Sequence, residues 1–223
     1  MTLQKFDAVL FDCDGVLVDS EPITNGVLRD MLDEAGWRLS AAECMRIFVG
    51  KAVKDEIAVI EAQTGKRIDE AWMLQFREQR DAGLRARLLP IDGALQAVAK
   101  IHAAYAGRIA CASGADRAKV ELQLTMCALM PYFDGRIFSG YETPRSKPFP
   151  DVYLAAAKAV GVDPQRCAVV EDSVTGVRAG VAAGACVFGY SPSAVGHDSP
   201  DALRAAGATF IFSDMTALPG LVC

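Results

Sequence analysis

The chain has 223 residues, 52% hydrophobic and 23% charged, and a formal net charge of −5 from 23 Lys plus Arg against 28 Asp plus Glu. Such an apolar fraction excludes a disordered chain, and the length suits one domain or one domain with a modest insertion. The acid excess argues against general nucleic-acid binding, which needs a basic face, and no apolar run reaches the length of a membrane span.

Ala8 to Cys13 reads as a short buried strand, an apolar run that stops abruptly at Asp12, Asp14 and Gly15. From Pro22 to about Leu88 the pattern is helical. Pro22 suits the first turn of a helix running to Ala35, with Gly36 as its stop. Ser40 followed by Glu43 is a capping-box signature for the next helix. Asp55 to Thr64, closed by Gly65, and Asp69 to Leu88 complete the helical block.

After Pro90 strands and helices alternate. The reading is helix from Gly93 to Tyr105, strand from Arg108 to Ala112, helix from Asp116 to Leu129 with Asp116 as N-cap, and strand from Arg136 to Ser139. Pro144 to Pro150 is a loop. Then follow helix from Asp151 to Val160, strand from Cys167 to Val170, helix from Val174 to Ala183, and strands from Ala185 to Tyr190 and Thr209 to Phe212. Alternation of this kind implies right-handed crossovers and a doubly wound, mainly parallel α/β sheet. Gly15 to Pro22 and Leu89 to Gly93 are the hinge candidates where the chain enters and leaves the helical insertion.

Seven scattered cysteines with no C-x-x-C pair, and only two histidines, His102 and His197, make a disulfide framework or a zinc site improbable. Reduced, mostly buried thiols in a cytoplasmic protein are the economical reading. The N-terminus does not read as a signal peptide, because its apolar stretch contains Asp7 and meets Asp12. Nothing in the sequence fixes an oligomeric state.

Asp12 and Asp14 sit where an open parallel sheet places its ligand crevice, and Gly15 permits a tight backbone there. The same residues also read as ordinary turn chemistry. A second apolar strand runs into Glu171 and Asp172, with Ser173 leading into a helix. If the two strands are neighbours, four carboxyl groups meet at one sheet edge. An oxygen-only site of that kind suits Mg²⁺ rather than zinc. Ser113 and Gly114 end another strand before a helix and present a hydroxyl and free N–H groups suited to a phosphate oxygen, although a plain capping turn has the same look. Lys147 lies in a proline-flanked loop just before a helix, which fixes its place.

Together these stretches resemble the haloacid dehalogenase-like superfamily, in its β-phosphoglucomutase-like and sugar-phosphate phosphatase branch. The matching motifs are Phe11-Asp12-Cys13-Asp14-Gly15-Val16 running on to Glu21, Ala112-Ser113-Gly114, Lys147-Pro148, and Glu171-Asp172-Ser173 followed by Gly176. The resemblance covers essentially the whole chain. It implies a catalytic core over residues 1–18 and 89–223 and an α-helical cap over 19–88. It also implies roles. Asp12 is the nucleophile that forms an aspartyl-phosphate, and Asp14 the general acid and base. Asp12 and Asp172 ligate Mg²⁺ through side chains, Asp14 through its backbone carbonyl, and Glu171 through a water. Ser113 and Lys147 hold phosphoryl oxygens, with Gly114 beside them. Lys51, after Gly50, resembles the substrate-specificity loop, and Glu21 and Asn25 near the hinge are candidates to hydrogen-bond a sugar. Each of these also reads as a solvated helix-face residue, as do the weaker candidates Lys54 and Arg46. Trp37 and Trp72 read as cap core.

The expected activity is therefore Mg²⁺-dependent hydrolysis of a small phosphorylated metabolite, a sugar phosphate or a sugar-acid phosphate such as 6-phosphogluconate. The alternatives are a phosphomutase, a phosphonoacetaldehyde hydrolase-like enzyme using a cap lysine, and a non-catalytic phosphometabolite-binding regulator. Thr24 stands where the mutases of the family carry a hinge histidine, which counts against the first. Asp14 counts against the second, and the intact Asp12 and Asp14 pair against the third.

Overall fold

The structure, a computed structural model, describes residues 6–192 and 196–223. In chain order its main elements are β1 (Ala8–Phe11), α1 (Glu21–Glu34), α2 (Ala41–Phe48), α3 (Ile57–Thr64), α4 (Glu70–Arg87), α5 (Ala94–Ala104), β2 (Ile109–Ser113), α6 (Arg117–Met126) and α7 (Met130–Phe133). They continue with β3 (Ile137–Ser139), α8 (Asp151–Ala159), β4 (Cys167–Glu171), α9 (Val174–Ala182), β5 (Cys186–Tyr190), α10 (Pro200–Ala206), β6 (Phe210–Phe212) and α11 (Leu218–Val222).

The described strands form one six-stranded sheet in the order β3-β2-β1-β4-β5-β6, with each neighbouring pair parallel. This is the doubly wound α/β arrangement expected from the alternation. In β1 the side chains alternate between two apolar layers. Val9 and Phe11 pack with Val98 and Ile101 of α5 and Val120 and Leu124 of α6, while Ala8 and Leu10 pack with Tyr153 of α8 and Val177 of α9. Coverage on both faces explains why the strand reads as a continuous apolar run.

The order reverses beside β1. The chain winds from β1 through β2 to β3, then crosses back to place β4 on the other edge of β1, with Phe11 opposite Val170. Ligand crevices of open parallel sheets lie at the carboxyl ends of strands flanking such a reversal.

Helices α1 to α4 build their own apolar cluster, including Leu28, Leu32, Phe48, Ile60 and Phe76, with Trp37 and Trp72 packed against it. The segments entering and leaving this insertion run side by side. Asp19 N donates to Leu89 O at 2.9 Å and Ile91 N to Leu17 O at 3.0 Å.

Two expectations need correction. The helix read from Asp116 to Leu129 ends at Met126, because Ala128 turns left-handed (φ 56) and Leu129 N folds back onto Leu124 O at 2.8 Å. Helices α7, α10 and α11 lie where no element was expected. No helix among the described residues is long and apolar enough to cross a membrane. All seven cysteines are free, five of them buried.

Candidate active site

Asp12 directly follows β1 and is still tied to β4, since its N–H donates to Val170 O at 3.0 Å. Glu171 closes β4 and Asp172 follows it. Adjacency of the two strands brings Asp12, Glu171 and Asp172 together, each offering an oxygen within 4.8 Å of the others, and all three buried. Lys147, from the loop before α8, reaches in from the side. Its Nζ donates to Asp12 Oδ1 at 2.8 Å and to Glu171 Oε1 at 2.6 Å. Tyr153 on the first turn of α8 donates to the same Glu171 oxygen at 2.6 Å. The other Glu171 oxygen accepts from Asp172 N at 3.1 Å and from Ser173 N and Oγ at 3.3 and 3.2 Å.

Two glycines allow this crowding. A Cβ on Gly15, which has φ 75, falls 2.0 Å from Asp172 Oδ2. A Cβ on Gly176 falls 1.7 Å from Glu171 Oε1. Nothing larger than hydrogen fits at either place.

One ammonium thus bonds two of three clustered carboxylates. Burial pushes Asp12 up to about 7, with Glu171 and Asp14 adding to the rise and Lys147 opposing it. Burial also drives Asp172 far above the carboxylate range, reinforced by Glu171 and Asp12. Asp172 has no Lys or Arg partner among the described residues. His197 Nε2 lies 3.9 Å from Oδ2 and donates instead to Gly15 O at 2.9 Å. A buried, oxygen-only, under-neutralised donor set fits a hard divalent cation such as Mg²⁺.

Asp14 is held differently. Its Oδ1 accepts from Lys119 Nζ and Gln123 Nε2, each at 2.8 Å, and from Ser20 Oγ. Burial alone would raise this group, but the Lys119 ammonium, Ser20 and Gln123 outweigh it and hold Asp14 at about 2. The Asp14 side chain is therefore tied to Lys119 and Gln123 of α6 and not to the Lys147 ammonium.

A chamber between the helical insertion and the sheet is lined by Asp12, Asp14, Ser113, Gly114 and Lys147 from below, and by Glu21, Thr24, Asn25, Lys51 and Arg80 from above. Of the residues picked out from the sequence, Asp12, Asp14, Ser113, Gly114, Lys147, Asp172, Glu21, Asn25 and Lys51 border this one space, Glu171 bonds Lys147 at its edge, and the weaker candidates Lys54 and Arg46 are not on its wall. Ser113 is buried, and its Oγ accepts from Ala115 N at 3.0 Å. Asn25 donates to Glu21 Oε2 at 2.5 Å, and burial together with repulsion from Asp14 pushes Glu21 up to about 7. Lys51 also borders a second, open cleft and pairs with Glu56 at 3.3 Å. Lys54 donates to Gly140 O at 3.4 Å and sits over the Tyr141 ring.

Sequence reading missed Lys119, Gln123, Arg80, Tyr153 and His197. Lys119 and Gln123 carried one usable signal. They lie four residues apart just after the N-cap Asp116, so they share the helix face that turns inward.

The relatives agree with this architecture. A family model described as haloacid dehalogenase-like hydrolase matches residues 6–184. A 6-phosphogluconate phosphatase of Escherichia coli is 30% identical over 191 residues, covering 83% of each chain. A solved haloacid dehalogenase-like protein of Agrobacterium tumefaciens superposes with a TM-score of 0.81 at 33% identity, covering 97% of both chains. A hydrolase of the same family from Deinococcus radiodurans, solved with bound phosphate and sodium, gives 0.76 at 33% identity over 99% of both. With the sheet reversal, the paired acid strands and the matched length all in agreement, the chain belongs to the haloacid dehalogenase-like hydrolases.

Proposed function

We propose that this protein is a Mg²⁺-dependent phosphohydrolase acting on a small phosphorylated sugar or sugar acid, with 6-phosphogluconate as the specific candidate. The observation that carries the reading is Asp12. It is a buried carboxylate at the sheet reversal, gripped by Lys147 and sharing one chamber with Ser113 and Asp14. Family membership supports the reaction class, and the similarity to a 6-phosphogluconate phosphatase supports the substrate class.

In this reading an Asp12 oxygen attacks phosphorus as the bond to the sugar oxygen breaks, leaving an aspartyl-phosphate. Asp14, ionised at rest, relays to the departing alkoxide a proton carried in by the substrate's monoanionic phosphoryl group. Asp14 then takes a proton from the water that attacks phosphorus, releasing inorganic phosphate and restoring Asp12. Lys147 and Ser113 hold phosphoryl oxygens and offset their charge. Asp12, Asp172 and the Asp14 carbonyl would hold Mg²⁺, with Glu171 behind them, and the ion when bound neutralises the meeting of two anions. Residues 19–88 serve as a cap over a core of residues 1–18 and 89–223, with Glu21, Asn25 and Lys51 facing the leaving group. The free cysteines support a reducing, cytoplasmic location.

The hydrolase reading is preferred to a mutase because Thr24 occupies the hinge position on the chamber wall, and a hydroxyl there cannot shuttle protons at neutral pH as an imidazole does. Purified protein with Mg²⁺ is expected to release phosphate from 6-phosphogluconate, and Asp12→Asn to reduce release to background while keeping the fold. Undiminished turnover by that variant would overturn the mechanism. Net isomerisation of sugar phosphates outpacing phosphate release would overturn the hydrolase assignment.

A further inference from the structure

Three donors converge on one oxygen of Asp14 and leave the other free. Lys119 Nζ, Gln123 Nε2 and Ser20 Oγ all bond to Oδ1. Among the described residues no hydrogen bond reaches Oδ2, although the Asp14 side chain borders the chamber beside Asp12.

The grip is built, not incidental. Lys119 is 5% exposed, and Gln123 and Ser20 are fully buried. Lysine is almost never buried without a partner, and Asp14 is the one carboxylate to which Lys119 is ion-paired among the described residues. The Gln123 amide is fixed from its far side, because Cys13 Sγ donates to Oε1 at 3.5 Å and so turns Nε2 toward Asp14. Lys119 itself is anchored at the head of α6. Its backbone N–H donates to the N-cap Asp116 at 3.0 Å, and Asp116 in turn accepts from Arg80 of α4 at 2.8 Å. A carboxylate free at both oxygens rotates. One pinned through a single oxygen by three buried donors presents the other in a fixed direction.

We infer that Lys119, aided by Gln123, is a positioning residue that pins Oδ1 of Asp14 so that Oδ2 is the atom that exchanges protons with substrate and water. The inference rests on the phosphatase reading above. In the first half-reaction Oδ2, ionised at rest, takes up the proton of a monoanionic substrate phosphoryl group and passes it to the sugar oxygen as its bond to phosphorus breaks and the Asp12–phosphorus bond forms. In the second, Oδ2 takes a proton from the water whose oxygen bonds to phosphorus as the Asp12–phosphorus bond breaks.

Proton donation matters only when the leaving group is a poor one, and this gives a test that a general loss of structure does not mimic. The parameter to measure is kcat/KM, which covers steps only as far as leaving-group departure. It would be compared for p-nitrophenyl phosphate, whose phenolate departs unaided, and for an alkyl phosphate. The alkyl substrate is 6-phosphogluconate or, if another member of a sugar monophosphate panel is faster, that member. Lys119→Met is expected to lower kcat/KM for the alkyl phosphate at least about tenfold and to leave p-nitrophenyl phosphate within about threefold, as loss of oriented acid catalysis requires. Lys119→Arg is expected to recover most of the loss. Gln123→Leu is expected to show the same selective pattern with smaller size, and it carries the test if Lys119→Met does not fold. Equal losses on both substrates, or no loss on either, would overturn the inference while leaving the phosphatase reading standing. A wild-type enzyme inactive on every phosphomonoester would overturn both.

Discussion

Arg80 on α4 and Asp116 at the head of α6 meet in an ion pair of 2.8 Å that spans the seam between the helical insertion and the sheet, with the Arg80 side chain only 6% exposed. Arg80 also bonds Asp81 at 2.8 Å, so one guanidinium ties two carboxylates and closes the chamber roof onto its floor. Removing it strands Asp116 in a half-buried site. Arg80→Ala is expected to destabilise the protein by about 3 kcal/mol, the usual cost of breaking a buried pair from one side, seen as a lowered denaturant midpoint. The Arg80 guanidinium, with the Lys119 backbone N–H and ammonium, holds Asp116 below the usual carboxylate range against its burial. A depressed carboxylate contributes stability that is present above its unfolded value and lost as pH falls through its folded one. The wild type therefore loses this contribution on acidification below about pH 4, and Arg80→Ala is expected to flatten that limb of a stability–pH curve.

Glu21 gives the opposite sign. Burial and the nearby Asp14 raise it to about 7. Between about pH 4.5 and 7 the folded protein then binds a proton that the unfolded chain has released, so stability falls as pH rises through this window. Glu21→Gln is expected to abolish this loss and to stabilise the metal-free protein at pH 8 by on the order of 2 kcal/mol. The same variant is expected to raise KM for the sugar phosphate. Urea midpoints of both proteins at pH 5 and pH 8 decide the first point. An unchanged difference between the two pH values would show that Glu21 is not the group responsible.

Asp172 carries the metal prediction. Its carboxylate is 4% exposed and has no ammonium or guanidinium partner among the described residues. Mg²⁺ that binds only the folded state stabilises by about 2.7 kcal/mol at a hundredfold excess over Kd. A Mg²⁺ titration is expected to raise the melting temperature of the wild type and to leave Asp172→Asn unmoved. With EDTA and no metal, Asp172→Asn is expected to be the more stable of the two, since it removes a carboxyl that folding must drive out of its ionised form. Equal Mg²⁺ responses would place the ion elsewhere.

Gly176→Ala tests the packing under Glu171. The added methyl meets the Glu171 carboxylate, which is locked by Lys147, Tyr153 and Ser173. Displacing that carboxylate unseats Lys147 from Asp12. The expected result is a loss of about 2–4 kcal/mol in stability and a drop in kcat larger than the change in KM. Gly220→Ala, with open space around its Cβ position, is the control and should behave as wild type.

Legibility from sequence followed distance along the chain. Asp12, Ser113, Glu171 and Asp172 announced themselves because each ends an apolar run and the local pattern alone marks a strand terminus. Lys147 was marked by its prolines. Lys119 and Gln123 were passed over because their shared helix face is only a weak local mark, and the group they serve, Asp14, lies 109 residues before Gln123. Arg80 was hidden for the same reason, among other charged residues of α4. The end of α6 was misread because Leu124 and Leu129 keep the apolar texture going, while the break depends on Ala128 adopting a positive φ that its identity does not advertise. Helix α10 was readable but not read. Ser199 caps it, Pro200 opens it and Gly207 ends it left-handed.

The reversal of the sheet beside β1 also bears on how the protein is made. Asp12 leaves the ribosome early, yet its partners Glu171 and Asp172 lie on a strand synthesised far later, and Phe11 meets Val170 only after that strand docks. Until then β1 has an open edge, which is exposed to mispairing. Lys147 precedes β4 in the chain, so the ammonium is already available when the second and third carboxylates arrive beside the first. A nascent chain therefore meets its counter-charge before it meets the repulsion, and no fragment ending short of Asp172 can hold the cluster at all.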